Sequence, residues 1–459
     1  VIATVALFAL LVVSCIGILL SPSPELAPMI VPLLVVMIVA YKKPEWVLTA
    51  AWLSLPFEGA FGIDISANKF LAPLFVILVM QLALKQISFN QLRSNLWLSL
   101  GTFMLFYLVS VWYSQDKPLS TFTTRELMLS QICFAATILL APRLNLTLIA
   151  KGCALGVAVT YLIADPSTMI NNREAGFTGD PNYYALQLDV GIVFSLLLIA
   201  SKTHWLERLF WLGVACVLTK ALISTDSRSG LVVLAVVLLA CLWHYRYALH
   251  HLHPRHFGFA LLGLVILVST MIVMVPESYI QRIESLTSLV SGPSVAQDPS
   301  LGRRTSYLIV GLQVVENHPL FGTGPGTFPL NFARSSYAVA FSFMPDRTDL
   351  YRAAHNTYMQ MAAEAGLPAV IAFVGLFILA FRNYYLARRY FLQLGQQHQA
   401  NLMTHFGLAL MVTMFFLMFL SIQDHKYIWF LLALSSFGLR CSQGHVVPPY
   451  ISSPPTNQP

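Results

Sequence analysis

The stretch STDSRSGLVVLAVVLLACLWHYRYA, residues 224–248, decides the fold. A small polar turn holding Asp226 and Arg228 gives way to an unbroken apolar run, and the run ends at Arg246. Apolar and polar positions do not alternate, so the run is helical rather than a half-buried strand. Its length approaches the roughly 20 residues that carry an α-helix across a bilayer. Lipid offers the backbone no hydrogen-bond partners, which leaves only helices and closed barrels as spanning structures.

The same pattern recurs throughout the 459 residues, of which 57% are hydrophobic and 10% charged. A soluble chain carries about 25% charge. Apolar runs occupy 1–20, 28–41, 44–57, 69–84, 94–112, 126–141, 146–164, 181–200, 207–224, 230–248, 256–275, 356–381, 402–421 and 426–440. Counting the short pair 28–41 and 44–57 as one re-entrant unit, and omitting the short last run, gives a range of about twelve to fourteen spans. The expected fold is therefore an all-α, polytopic transmembrane helical bundle. The first run lacks a basic flank and more spans follow it, so it reads as a helix rather than a signal peptide.

Charge sets the orientation. With the N-terminus inside, the inner loops collect Lys42, Lys43, Lys85, Arg93, Arg143, Lys151, Arg246, Arg388, Arg389 and Arg440, while the outer loops mix both signs. That asymmetry is the positive-inside pattern. It also accounts for the net charge of +7 without any nucleic-acid partner. The six cysteines are scattered in or beside apolar runs, with no CxxC and no metal spacing. Disulfides and a metal centre are not expected.

One connection is long. Residues 276–355 fall on the outer side and contain aromatics, large aliphatics and turn residues, which a flexible linker would lack. Four regions follow: an N-terminal transmembrane bundle over 1–275, an extracytoplasmic loop or lid over 276–355, transmembrane helices over 356–440, and a disordered Pro-rich tail over 441–459.

The polar residues that need a reason lie on this outer side. In STDSRSG, small neighbours leave Arg228 open to a ligand, and Asp226 stands two residues away to orient its guanidinium. An arginine fork suits phosphate oxygens, although a lone arginine at a helix end is as often an interface anchor. In GRRTS, residues 302–306, Arg303 and Arg304 open a helix and make an anion site or a solvated basic patch. Arg334 and Arg352 extend the basic character of the same loop. In NHPLFGTGPGTF, residues 317–328, Gly324 and Gly326 belong to an alternating set that lacks the Lys-Ser/Thr of a phosphate-binding P-loop. They permit either a tight turn or the close approach of a substrate chain. In HNTYMQMAAEAG, residues 355–366, His355 and Asn356 open the helix of the 356–381 run. Glu364, deeper in that run, is the kind of intramembrane acid that defaults to functional suspicion.

Taken in this order, TDSRSG, then GRRTSYLIVGLQVVENHPLFGTGPGTF, then HNTYMQMAAEAG, the chain resembles the O-antigen ligase and Wzy-type O-antigen polymerase superfamily. The resemblance is carried by residues of about 180–380 and by the layout of many spans with one long outer loop. It implies a metal- and cofactor-independent glycosyltransferase in the bacterial inner membrane, with its active site facing the periplasm. The donor would be a glycan on undecaprenyl diphosphate, and the acceptor a lipid A core or a second lipid-linked glycan. It marks His355, Arg228 and Arg303 as catalytic, with Arg304, Asn356, Gly324, Gly326, Arg352 and Asp226 as substrate-binding. Ala369 departs from the ligase pattern, which often has a small or polar marker there. Rival readings are an anion transporter of bicarbonate type, a protein O-oligosaccharyltransferase and a non-catalytic envelope scaffold.

Overall fold

A computed structural model describes residues 37–58, 67–164, 168–170, 172–201, 204–250, 299–340 and 350–442. The expected spans 1–20 and 256–275, residues 28–36 of the span 28–41, the loop segments 276–298 and 341–349, and the tail from 443 onward lie outside the described residues.

The described chain is a bundle of helices. In order they are α1 Pro44–Ser54, α2 Asn68–Ala83, α3 Trp97–Trp112, α4 Lys117–Leu140, α5 Leu146–Leu162, α6 Pro181–Ser201, α7 Trp205–Ser224 and α8 Arg228–His250. Then come α9 Pro299–Asn317, α10 Phe328–Ala333, α11 Ser336–Ala340, α12 Thr357–Ala365, α13 Leu367–Gln393, α14 Gln397–Phe416 and α15 Lys426–Ser442. Among the described residues the one sheet is a two-stranded antiparallel hairpin, β1 Met169–Ile170 with β2 Arg173–Glu174.

Among the described residues four helices are long and apolar enough to cross a membrane: Lys117–Arg143, Pro181–Ser201, Arg228–Arg246 and Leu367–Gln393. Phe70–Ala83, Trp97–Trp112 and Leu146–Leu162 are shorter apolar helices. This is the all-α polytopic bundle that the apolar runs require. Its centre is formed by α6, packed against α5, α7, α8 and α14, and by α15, packed against α4, α13 and α14. On α15 every residue from Tyr427 to Leu434 is buried. A helix that is apolar on all sides belongs in a core.

The 356–381 run is not one helix. It breaks at Gly366, whose φ of 85° is open to glycine and strained for other residues. A Cβ there would lie 2.2 Å from the Leu320 carbonyl oxygen. Leu367 N–H donates to the Pro319 carbonyl at 2.9 Å, and Pro368 sits in the first turn of the next helix, where its missing N–H costs nothing. The membrane-crossing helix therefore begins at Leu367. The preceding α12 is a separate nine-residue helix that carries Glu364 beside the long loop between α8 and α12.

That loop has a core of its own. Tyr307 and Val310 of α9, Phe328 and Phe332 of α10, Ala338 of α11, Ala354, and Ala363 of α12 form a buried cluster. The glycine loop ties this cluster to the bundle: Thr323 N–H donates to the Ala363 carbonyl at 3.0 Å, and Gly324 N–H to the Glu364 carbonyl at 2.9 Å. Gln115 N–H, from the α3–α4 corner, donates to the Thr323 carbonyl at 3.0 Å.

Candidate active site

The α7–α8 corner presents the first arginine. Thr225 ends α7, its N–H reaching the Ala221 carbonyl at 3.1 Å. Asp226 then takes φ 52°, which reverses the chain within one residue. Ser227 caps α8 by accepting the Gly230 N–H at 3.2 Å, and this places Arg228 at the first helical position. The N-terminal end of α8, with Arg228 at its first position, is a favourable setting for an anion.

Beside this corner lies the start of α6. Asp180 accepts the Asn182 and Tyr183 N–H groups at 2.7 and 3.1 Å, capping the helix. Asn182 Oδ1 accepts from the Ser227 hydroxyl at 2.9 Å and from Arg173 Nη2 at 3.4 Å. Arg173 Nε donates to the Thr225 carbonyl at 2.9 Å. The small hairpin is thus fastened to the α7–α8 corner with its arginine pointing inward.

The segment from Pro299 onward closes the site from the other side. Arg303 and Arg304 lie in the first turns of α9, where the Ser306 hydroxyl donates to the Arg303 carbonyl at 2.7 Å. Tyr307, one turn on, is buried, and its ring lies 5.8 Å from the His355 ring at 32°. His355 itself sits at φ 47°, uncommon for a non-glycine residue. Strained backbone of this kind persists where the surroundings over-determine it. Here the next residues supply that restraint. Asn356 caps α12 by accepting the Met359 N–H at 3.1 Å. Thr357 N–H donates to the Leu417 carbonyl at 2.7 Å, and its hydroxyl donates to the Leu420 carbonyl at 2.6 Å.

Arg173, Arg228, Arg303, Arg304 and Arg352 line one cavity together with Asn182, Asp226, Ser229, Tyr307 and His355. The cavity has a volume of about 180 Å³. Five guanidinium groups thus share it with a single carboxylate. Burial lowers the pKa of the His355 imidazole below its ordinary value, and the Arg304 guanidinium lowers it further. Arg352 and Arg303 act in the same direction, while Asp180 opposes them. The imidazole is consequently neutral at pH 7 and has a lone pair for a proton.

Residues 212–374 match the family model described as O-antigen ligase. Over this region the chain is similar to the O-antigen ligase/polymerase superfamily. The match covers about a third of the chain, from within α7 into α13. No curated protein matches the chain. Within the matched region lie Arg228, Arg303, Arg304, Arg352 and His355, and all five line the cavity.

Of the other residues expected at the site, Asp226 also lines the cavity. Asn356 does not, being turned into the α12 cap. Gly324 and Gly326 stand apart as well. A Cβ on Gly324 would meet the Ser114 hydroxyl at 2.1 Å, and one on Gly326 would meet Thr123. These glycines let the loop lie directly on the start of α4. Glu364, expected within a membrane span, instead accepts the Phe328 N–H at 3.1 Å and holds the start of α10. Arg173, Asn182, Ser229 and Tyr307 are cavity residues that the sequence motifs did not single out. The available signal was an arginine in a turn-rich outer segment, NNREAGFTGDPN, directly before α6.

Proposed function

We propose that the chain is a glycosyltransferase acting at the outer face of the bacterial cytoplasmic membrane. It moves a glycan from undecaprenyl diphosphate to a hydroxyl acceptor, as a ligase or polymerase of lipid-linked glycan. The observation that carries this reading is the cavity in which five arginines face one histidine. Arginine presents a planar fork of donors that matches phosphate oxygens, and several arginines on separate elements grip a diphosphate from several sides.

In this mechanism Arg228 and Arg303 hold the donor diphosphate, with Arg304 and Arg352 alongside. As the bond from the anomeric carbon to the diphosphate oxygen breaks, negative charge builds on the leaving group. Fixed guanidinium groups stabilise it without having to reorganise. His355 accepts the proton of the acceptor hydroxyl as its oxygen attacks the anomeric carbon. One glycosidic bond forms, one glycosyl phosphate bond breaks, and configuration inverts at the carbon attacked. The proton leaves from His355 to solvent. The arginines supply the positive charge that a metal ion supplies in many transferases, so transfer is expected to survive a chelator.

The test is the surface glycan of cells carrying His355→Ala or Arg228→Ala at matched protein level. Both variants are expected to lose glycan attachment or elongation on a gel. An unchanged glycan pattern in either would sink the assigned role.

A further inference from the structure

The glycine loop takes no part in the arginine cavity, yet it walls a second one. This cavity, of about 320 Å³, is lined by Tyr113 and Gln115 from the α3–α4 corner and by His318, Phe321 and Thr323 from the loop. We infer that it is a glycan subsite, holding sugar units several residues away from the reacting bond. The inference rests on the transferase reading above and extends it to a part of the substrate that the arginines do not touch.

Three observations carry it. The first is an aromatic platform. Tyr113 is 62% exposed, and its ring stacks on Phe321 with centroids 5.3 Å apart and planes at 14°. Phe321 in turn stacks on Phe106 at 5.9 Å and 24°. A ring backed in this way offers a large face at little entropic cost, and the C–H face of a pyranose packs against such a surface. The second is the polar rim. The Gln115 amide and the His318 imidazole line the same space, and Arg334 fixes the amide by donating from Nη1 to Gln115 Oε1 at 3.2 Å. An aromatic face with a few convergent hydrogen-bonding groups is the chemistry of a sugar site. A lipid chain would leave those polar groups unmatched. Interface anchoring falls instead to neighbouring Trp112, 78% exposed, with the Lys117 ammonium 5.8 Å from its ring.

The third is placement. The α9 helix carries Arg303 near its start, and His318 directly follows its last residue, Asn317. Fifteen positions at roughly 1.5 Å each place Arg303, which lines the first cavity, and His318, which lines the second, about 22 Å apart along the helix axis. The arginine cavity is lined by five guanidinium groups, which match a diphosphate rather than uncharged sugars, so the glycan would extend beyond it. The second cavity is preformed, since the loop is held by its bonds to Ala363, Glu364 and Gln115.

The experiment uses the full-length protein in lipid nanodiscs and lipid-linked glycan from the host's own membranes, fractionated into single repeat units and longer chains. Tyr113→Ala and His318→Ala are expected to raise KM at least fivefold for the long fraction and to leave single-unit transfer unchanged. Equal effects on both fractions, or on neither, would overturn the subsite. Glycan released from its lipid by mild acid provides a second measurement. It is expected to bind the wild type and to lose affinity at least fivefold in Tyr113→Ala; equal binding, or no binding to the wild type, would also overturn the subsite. Transfer retained by Arg228→Ala would count against the transferase reading alone, because binding of released glycan does not require the diphosphate site.

Discussion

His355 is a base only while neutral, and its neighbours keep it so. A basic form that must be free of its proton gives a rate that falls as pH drops through the pKa. Since burial and Arg304 depress that pKa, the acid limb of the rate profile is expected below the ordinary imidazole value of 6.5. Removing one depressing charge with Arg304→Gln moves the limb toward 6.5, and rates measured from pH 4.5 to 8 would reveal the shift. A limb that stays in place would detach Arg304 from the imidazole. The same residues show what a sequence can reveal at this scale. Arg228, Arg303, Arg304, Arg352 and His355 were legible as candidates because an arginine fork is the side chain a diphosphate site would call for, and the fold brings the five to one cavity. Arg173 was not, because a two-residue hairpin and a bond to Thr225 bring it to the cavity, and neither leaves a local pattern.

At the scale of elements, the joint between α12 and the glycine loop depends on one acid. Glu364 is fully buried, and burial raises its pKa from 4.5 to about 7, against the opposing backbone hydrogen bonds of Gly326 and Phe328. The folded protein therefore holds a proton between pH 4.5 and 7 that the unfolded chain has released. Stability is highest below the unfolded pKa, declines as pH rises through this window, and is flat above it. The loss across the window is on the order of 3 kcal/mol. Glu364→Gln keeps an oxygen acceptor for Phe328 N–H and never ionises. Its unfolding midpoint in detergent is expected to be nearly flat from pH 5 to 8.5 where the wild type falls; parallel curves would show that Glu364 does not titrate there. The break that frees α12 from the span was invisible in AAEAGLPAV because the apolar pattern continues through Gly366. Gly324 and Gly326 had the opposite fault. A glycine advertises a close approach without naming its partner, and here the nearest atoms belong to the α3–α4 corner rather than to a substrate.

At the scale of the molecule, hydrophobic runs and charge asymmetry were enough to give the class of fold, because a bilayer restricts the chain more severely than water does. The α4 helix ties this to orientation. Its 24 residues rise by about 36 Å, enough to cross a hydrocarbon layer of about 30 Å. Its first turn follows the corner bonded to the glycine loop, and so belongs to the end of the bundle that carries this loop. Near its last turn, the Arg440 guanidinium donates from Nη2 to the Ile138 carbonyl and from Nη1 to the Gln91 carbonyl, each at 2.5 Å. A cation at the C-terminal end of a helix is favoured by its dipole, and Arg143 adds a second basic residue at that end. If the loop end faces outward, Lys117 is exposed to the periplasm and Arg143 to the cytoplasm. The described cysteines other than Cys216 are buried, and labelling of the unsubstituted protein sets the background for a thiol reagent. An introduced thiol in Lys117→Cys is then expected to react with a membrane-impermeant maleimide in spheroplasts, and one in Arg143→Cys only after the membrane is opened. The reverse pattern would turn the arginine cavity toward the cytoplasm, where a periplasmic acceptor cannot reach it.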